Sequence, residues 1–323
     1  MQPATGELVL EYLKTYQTLP SRRIAAILLR DYPELFSTFD QARDMTRYYR
    51  GTRANGSGYV VTKNYTPQFS APEPETEEIL PLVLDYNSAP IMLGGDCHIP
   101  YHDQDALEIF IDRTIELKAK TLVLAGDWLD FYQLSRFDRN PTHRCVASEL
   151  ETFKQVLLAI RNALPETAIY FKCGNHEERY EKYLMVHASA LFGVPEFQLQ
   201  NLLGLDQLKI GYVDSVQVIK FRQLAIIHGH EYRYAISNPV NPARGLALRA
   251  KKSALCFHHH QTSEHSSRNI DGETTTTWSA GCLCNLKPRY APLNEWNHGF
   301  TEVHDDNGMF VVRNRRIINY KLI

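Results

Sequence analysis

Two regimes of apolar and polar patterning divide the chain. Through about residue 55, apolar positions recur at helical spacing in GELVLEYLKTY, RRIAAILLRDY and FDQARDMTRYYRG. Ser21, behind Pro20, reads as the N-cap of the second helix; Ser37 or Thr38 caps the third, and Gly51 ends it. GTRANGSG is turn-rich, and TPQFSAPEPETEE (66–78) has the Pro, Glu and Thr content of a linker or extended segment. From about residue 80 short apolar runs end in polar chemistry: APIML before GGDCH, TLVLA before GDWLD, AIYFK before CGNHE, LAII before HGH, ALCF before HHH. Each has the length of a buried strand. The stretches DQDALEIFIDRTIELKAK, VASELETFKQVLLAIRNAL and ERYEKYLMVHASALFG read as helices. GFTEVH, DDNG and MFVVRN read as a hairpin around Asn307-Gly308. Strands alternating with helices predict an α/β fold whose functional side chains gather at strand ends.

Composition removes several classes. The chain has 323 residues, 44% of them hydrophobic and 22% charged, which is enough for a substantial core. No apolar run approaches the roughly 18–20 residues of a membrane span. The N-terminal stretch lacks the basic, apolar and small-residue pattern of a signal peptide. Six scattered cysteines, with no CxxC recurring at zinc-finger spacing, fit free thiols in a reducing cytoplasm. Cys282 and Cys284, one residue apart, share a face if that segment is a strand. The net charge of −2 decides nothing about partners.

The chemistry lies in five clusters: Asp96 and His98; Asp127 and Asp130; Asn175, His176 and Glu177; His228 and His230; His258, His259 and His260. Carboxylate, imidazole and amide oxygen suit divalent cations such as Mn2+, Fe2+ or Zn2+ without any thiolate. Asp-x-His and His-x-His put two ligands on one side of an extended segment. Two ions about 3.5–4 Å apart, bridged by a carboxylate such as Asp127, would activate a phosphoryl group, with a free imidazole protonating the leaving oxygen.

The ordered series D-x-H, GD-x-x-D, GNHE, H-x-H and H-x-H, spanning about residues 88–285, resembles the calcineurin-like metallophosphoesterases. The strings DCHIPYHD, GDWLDFYQLSRF, GNHEERYEKYL and HHHQTSEH resemble a subgroup found in phage and prophage genomes. The resemblance implies a two-sheet β-sandwich flanked by helices. A small helical domain (1–65) and a linker (66–80) would precede a dimetal phosphoesterase domain (81–323). It implies a first ion held by Asp96, His98, Asp127 and His260, and a second by Asp127, Asn175, His228 and His258. Mn2+ leads, with Fe, Zn, Ni or Mg as alternatives. His176 becomes the catalytic acid, held by Glu177 or Glu178, beside Asp127. Phe257 stands where the last motif has Gly, and the triple histidine leaves a register using His259 open. His230 is a support or a substrate contact, and Asp130 supports rather than ligates.

Other features have plainer readings. His102, His143, His187 and His304 read as surface or packing residues, and His298 as a loop residue packed by Trp296. Residues 1–65 carry nine Lys/Arg against six Asp/Glu, with Arg43, Arg47 and Arg50 on nearly one face of the third helix and Arg53 following. The second and third helices suggest a helix-turn-helix facing DNA; the alternative is a solvated face paired with Asp40 and Asp44. RGLALRAKK is a surface helix or a phosphate-holding flank. The expectation is a cytoplasmic enzyme hydrolysing phosphomonoesters or phosphodiesters of nucleic acid or nucleotides. A protein or small-metabolite phosphatase is the alternative within that chemistry. A DNA-binding protein with a vestigial catalytic domain is the alternative outside it, and the intact ligand series argues against that one.

Overall fold

The computed structural model describes residues 3–16, 19–50, 79–85, 89–135, 145–232, 240–288 and 290–323. Gly51, Arg53, the turn-rich stretch, segment 66–78 and His143 lie outside them. The chain forms two compact units, Met1–Thr76 and Glu77–Ile323.

In the first unit α1 (Pro3–Thr15), α2 (Ser21–Asp31) and α3 (Phe39–Tyr49) pack through Val9, Leu13, Ile24, Leu28 and Ala42, all fully buried. Thr38 caps α3 by accepting from the Gln41 amide at 3.2 Å, while the Gln41 side chain accepts from Ser37. Ser21 is not a cap: it is already helical, and Pro20 before it offers no side-chain acceptor. The α2–α3 connection, residues 32–38, is longer than the roughly 3–4-residue turn of a DNA-binding helix-turn-helix. Of the expected basic stripe, Arg43 is tied to Asp40 and Asp44, at 2.8 and 3.4 Å, and Arg50 is buried.

The second unit is the expected sandwich. Its larger sheet runs β13-β12-β11-β2-β3-β4-β5. The strands are β2 (Ile91–Gly94), β3 (Thr121–Ala125), β4 (Ala168–Lys172), β5 (Ile210–Val213), β11 (His298–Asp306), β12 (Met309–Ile318) and β13 (Lys321–Leu322). The smaller sheet runs β1-β6-β7-β8-β10-β9. It comprises β1 (Leu82–Val83), β6 (Ile219–Phe221), β7 (Leu224–Ile226), β8 (Ala254–Cys256), β9 (Ser263–Arg268) and β10 (Thr274–Ser279). Alternation along the central strands separates two cores. Ile91, Leu93, Val123 and Ala125 point inward against Ile219, Phe221, Ile226, Leu255 and Phe257. Met92, Leu122, Leu124, Ile169 and Phe171 point outward. There they meet α4 (Gln104–Glu116), α5 (Val146–Ala163), α6 (Glu177–His187) and α7 (Leu199–Leu203) through Phe110, Phe153, Leu157 and Leu184. On the far side α8 (Pro242–Ala250), the basic RGLALRAKK stretch, packs Leu246 against Ile227, Ala254 and Cys256.

The expected hairpin is β11–β12, paired in register from His298 with Ile317 to Asp306 with Met309. The helix read through ERYEKYLMVHASALFG stops at His187, where Ala188 leaves helical geometry. His298 is not a loop residue: it begins β11, is buried, and its Nε2 lies 2.9 Å from the Cys284 carbonyl. No described helix is long and apolar enough to cross a membrane.

Candidate metal centre

Five strand ends converge. β2, β3 and β4 run parallel and lead to Asp96, Asp127 and Asn175; β7 and β8, also parallel, lead to His228 and His258. The chain does not stay extended there. Asp96, His98, Asp127, His258 and His260 all have left-handed backbones, with φ of 52, 49, 51, 73 and 56°. Non-glycine residues avoid that region unless the surroundings impose it, and such strain clusters at functional sites. The i, i+2 spacing therefore works here by a different geometry: left-handed kinks at Asp96, His98, His258 and His260, not strand alternation, bring the members of each pair to one side. Two glycines make room. A Cβ on Gly126 would sit 2.4 Å from His228 Nδ1, and one on Gly174 2.2 Å from Asp127 Oδ1.

The side chains form overlapping groups: Asp96, His98 and His260; His98, Asp127 and His176; Asp127, His228 and His258. Asp127 Oδ2 is central, lying 3.3 Å from His228 Nε2, 3.8 Å from His176 Nε2 and 4.0 Å from His98 Nε2. Its Oδ1 is fixed by the His176 amide at 2.9 Å. Asp96 repeats the arrangement: Oδ2 accepts from the His258 amide at 2.8 Å, and Oδ1 faces His260 Nε2 at 3.4 Å. Each carboxylate thus turns one held oxygen outward and one inward.

The imidazoles are aimed by their second nitrogens. His98 Nδ1 donates to Asp130 Oδ1 at 3.1 Å and His228 Nδ1 to the Ala125 carbonyl at 2.9 Å. Both acceptors lack a proton, so each ring keeps a hydrogen on Nδ1 and turns Nε2 toward the centre, where a neutral ring presents its lone pair. His98 Nε2 meets His260 Nε2 at 3.2 Å, a contact that needs one hydrogen or one cation between the two nitrogens. Asp96 Oδ1, His228 Nε2 and Asn175 Oδ1 are buried with no hydrogen-bond partner. Burial would raise Asp96, but His260 and His228 outweigh it and hold the carboxyl down to about 2. Burial would likewise lower His228 and His260, but Asp127 and Asp96 lift them to about 10. His258, buried beside His228, is pushed down to about 3. Two buried carboxylates with imidazole Nε2 atoms turned inward and partnerless polar atoms around them fit divalent cations, whose charge would replace that of the ring protons.

The expected support for His176 is replaced. Glu177 instead accepts from four backbone amides, those of Asp127, Trp128, Leu129 and Gly174, at 2.8–2.9 Å. Glu178 pairs with His230 Nε2 at 3.1 Å and with Lys182. His176 is held by Asp130, whose carbonyl accepts from Nδ1 at 2.8 Å. Its Nε2 accepts from Arg179 Nη2 at 2.7 Å. The sequence reading missed Arg179, although its place three residues after His176 puts both on one helical face. It also missed Glu231, which accepts from the amides of His228 and Gly229. His259 is half-buried beside His258, its Nε2 without a partner. Trp296 packs on His260 with ring centroids 4.1 Å apart, and Tyr290, largely exposed, stands edge-on to Trp296.

No family model and no curated protein matches the chain. Similar solved structures include Vacuolar Protein Sorting 29 from Cryptosporidium parvum, at 12% identity over 73% of this chain and 94% of that one, with a TM-score of 0.41. A dimetal phosphatase from Danio rerio is similar at 10% identity over 71% and 96%, TM-score 0.39. The phosphoesterase Yfce from E. coli is similar at 12% over 72% and 96%, TM-score 0.34. Identities and scores this low leave the reading of the site to its own geometry.

Proposed function

We propose that the chain is a dimetal phosphoesterase that hydrolyses phosphomonoesters or phosphodiesters. The observation that carries this reading is the inward-facing set around Asp127 Oδ2, with two buried carboxylates and three imidazoles oriented from behind. Asp96, His98, Asp127 and His260 would hold one ion; Asp127, Asn175, His228 and His258 the other. Mn2+ is the first candidate for a set with no sulfur among its nearest donors. What the ions supply when bound is Lewis acidity toward the phosphoryl group.

The chain's own residues do the rest. Asp127 keeps both halves of the centre in register through one oxygen while the His176 amide holds the other. His176 is the N-cap residue of α6, where the helix's free amide end favours an anion. With its proton on Nδ1, its Nε2 is capped by Arg179. A substrate phosphoryl group that draws Arg179 away gains a guanidinium donor and frees the Nε2 lone pair, which can then take a proton from solvent and pass it to the leaving oxygen while Nδ1 keeps its own hydrogen on the Asp130 carbonyl. Trp296 and Tyr290 offer flat apolar surface beside this spot, which supports nucleotides or nucleic acid as the substrate class, as do the phage-type strings.

The test is a substrate panel with Mn2+: p-nitrophenyl phosphate, its bis ester, and single- and double-stranded DNA. Turnover of either chromogenic ester supports the phosphoesterase reading, and turnover of DNA supports the substrate class. Absence of turnover on all four overturns the function.

A further inference from the structure

His98 and His228 owe their orientation to oxygen acceptors. His260 does not: its Nδ1 faces Cys284 Sγ at 3.6 Å. His260, Cys282 and Cys284 form a buried cluster whose nearest donor atoms all lie within 4.8 Å of one another. Both sulfurs are essentially inaccessible, so they act on the site from behind.

Their placement is tightly determined. The GCLC segment is not a regular strand but is pinned residue by residue. Cys282 donates to the Asn297 carbonyl and accepts from the Gly299 amide at the start of β11, Leu283 donates to the Asp96 carbonyl at 3.2 Å, and Asn285 donates to the Tyr101 carbonyl. Gly281 allows this closeness, since a Cβ there would lie 2.5 Å from the Asn297 carbonyl. The same segment thus holds the backbone of Asp96 and the back of His260.

The direction of the protons follows from the end of the chain of contacts. Cys282 Sγ lies 3.6 Å from the Asn297 carbonyl, which can only accept, so the Cys282 thiol proton is directed there. That leaves the Cys282 sulfur open to the Cys284 thiol proton, and the Cys284 sulfur open to Nδ1–H of His260. The reverse direction would put the imidazole proton on Nε2, toward the facing nitrogen of His98.

Resting on the metal-centre reading above, we propose that Cys284, backed by Cys282, is a positioning residue for His260. Its sulfur accepts the Nδ1 proton and keeps the Nε2 lone pair turned toward Asp96 and His98. Support of this kind behind a histidine ligand typically changes metal affinity about 10–100-fold.

The experiment titrates wild type, Cys284→Ala, Cys284→Ser and Cys282→Ala/Cys284→Ala with Zn2+ against a chromophoric chelator. It records the His260 Nδ1 proton by 15N NMR of the zinc-loaded proteins, visible Co2+ spectra, and thermal unfolding without metal. Expected are a His260 Nδ1 proton protected in wild type and exchanging in the alanine variants, weaker binding of one ion by about 10–100-fold, and partial recovery in the serine variant. Wild-type affinity and a protected proton in both alanine variants overturn the proposal while leaving the metal centre standing. So does a lower unfolding temperature with unchanged affinity, which marks simple packing. A sulfur-to-cobalt charge-transfer band overturns it too, because the thiols would then be ligands. Failure of wild type to bind Zn2+ at all overturns the metal-centre reading and this proposal together.

Discussion

Lys172, fully buried at the end of β4, places its ammonium 3.0 Å from Oε1 of Glu231 in the loop after β7. The contact joins the two sheets at the level of the candidate site, because Glu231 also accepts from the His228 and Gly229 amides. Lys172 completes its bonding on three carbonyls, those of Asp214, Ser215 and Gln217. Burial would raise Glu231, but Lys172 and the two neighbouring histidines hold it down to about 2.

Removing one member of such a pair strands the other. Lys172→Met should lower stability by about 3–5 kcal/mol, measured by urea unfolding of the metal-free protein. A change under about 1 kcal/mol would mean that the pair is solvated in solution.

Asp127→Asn keeps the shape of the side chain proposed to bridge and removes its charge. Wild type reconstituted with Mn2+ should carry about two ions per chain by elemental analysis, and the variant should lose most of both. Loss of a single ion would assign Asp127 to one half of the centre only.

His176→Ala should retain its metal yet lose on the order of 10²–10⁴ in rate on an ester with a poor leaving group, and less with p-nitrophenolate. Arg179→Gln should raise KM for small phosphate esters, since the guanidinium is the donor nearest His176. Equal losses for leaving groups of widely different pKa would remove His176 from the proton transfer.

A pH dependence lies away from the candidate metal centre. Glu302, inaccessible in β11, accepts from Arg113 and Arg315 at 2.9–3.2 Å, with His304 at 3.2 Å and Arg313 at 4.0 Å. Burial would raise its pKa, but the Arg315, Arg113 and His304 bonds outweigh it and the group lies below its usual value. A depressed carboxyl stabilises the fold above its unfolded pKa, about 4.3, and that contribution disappears as pH falls through the lower folded value. Glu302→Gln should therefore cost about 1.5–3 kcal/mol at pH 7, and the gap to wild type should close in acid. A gap that is constant from pH 7 to about pH 2 would rule out ionisation of Glu302 as its source.

Legibility in the sequence followed how local each cause is. β2, β3, β4, β7 and β8 could be read because solid apolar runs halt at Gly or His. β9 and β10, SEHSSR and TTTTWS, could not: they carry almost no apolar signal and exist by pairing with each other and with β8. Asp96, His98, Asp127, His228, His258 and His260 lie in overlapping groups, and Asn175 follows the next strand with its Oδ1 buried and without a partner. Their supports escaped notice because the acceptors are often backbone atoms, such as Ala125 O for His228 and Asp130 O for His176, which no residue name announces. Glu177 was legible as a letter of GNHE but not in its role.

That role has a consequence for how the loops can be reused. One carboxylate spans two turns, taking three amides from the stretch after β3 and one from the stretch after β4. Neither turn is a self-contained module. Grafting GDWLD onto another sandwich without Glu177 would strand three buried amides, and grafting GNHE without GDWLD would leave a buried carboxylate with a single backbone donor. The two motifs are separated by about fifty residues yet must be transplanted, deleted or redesigned as one part.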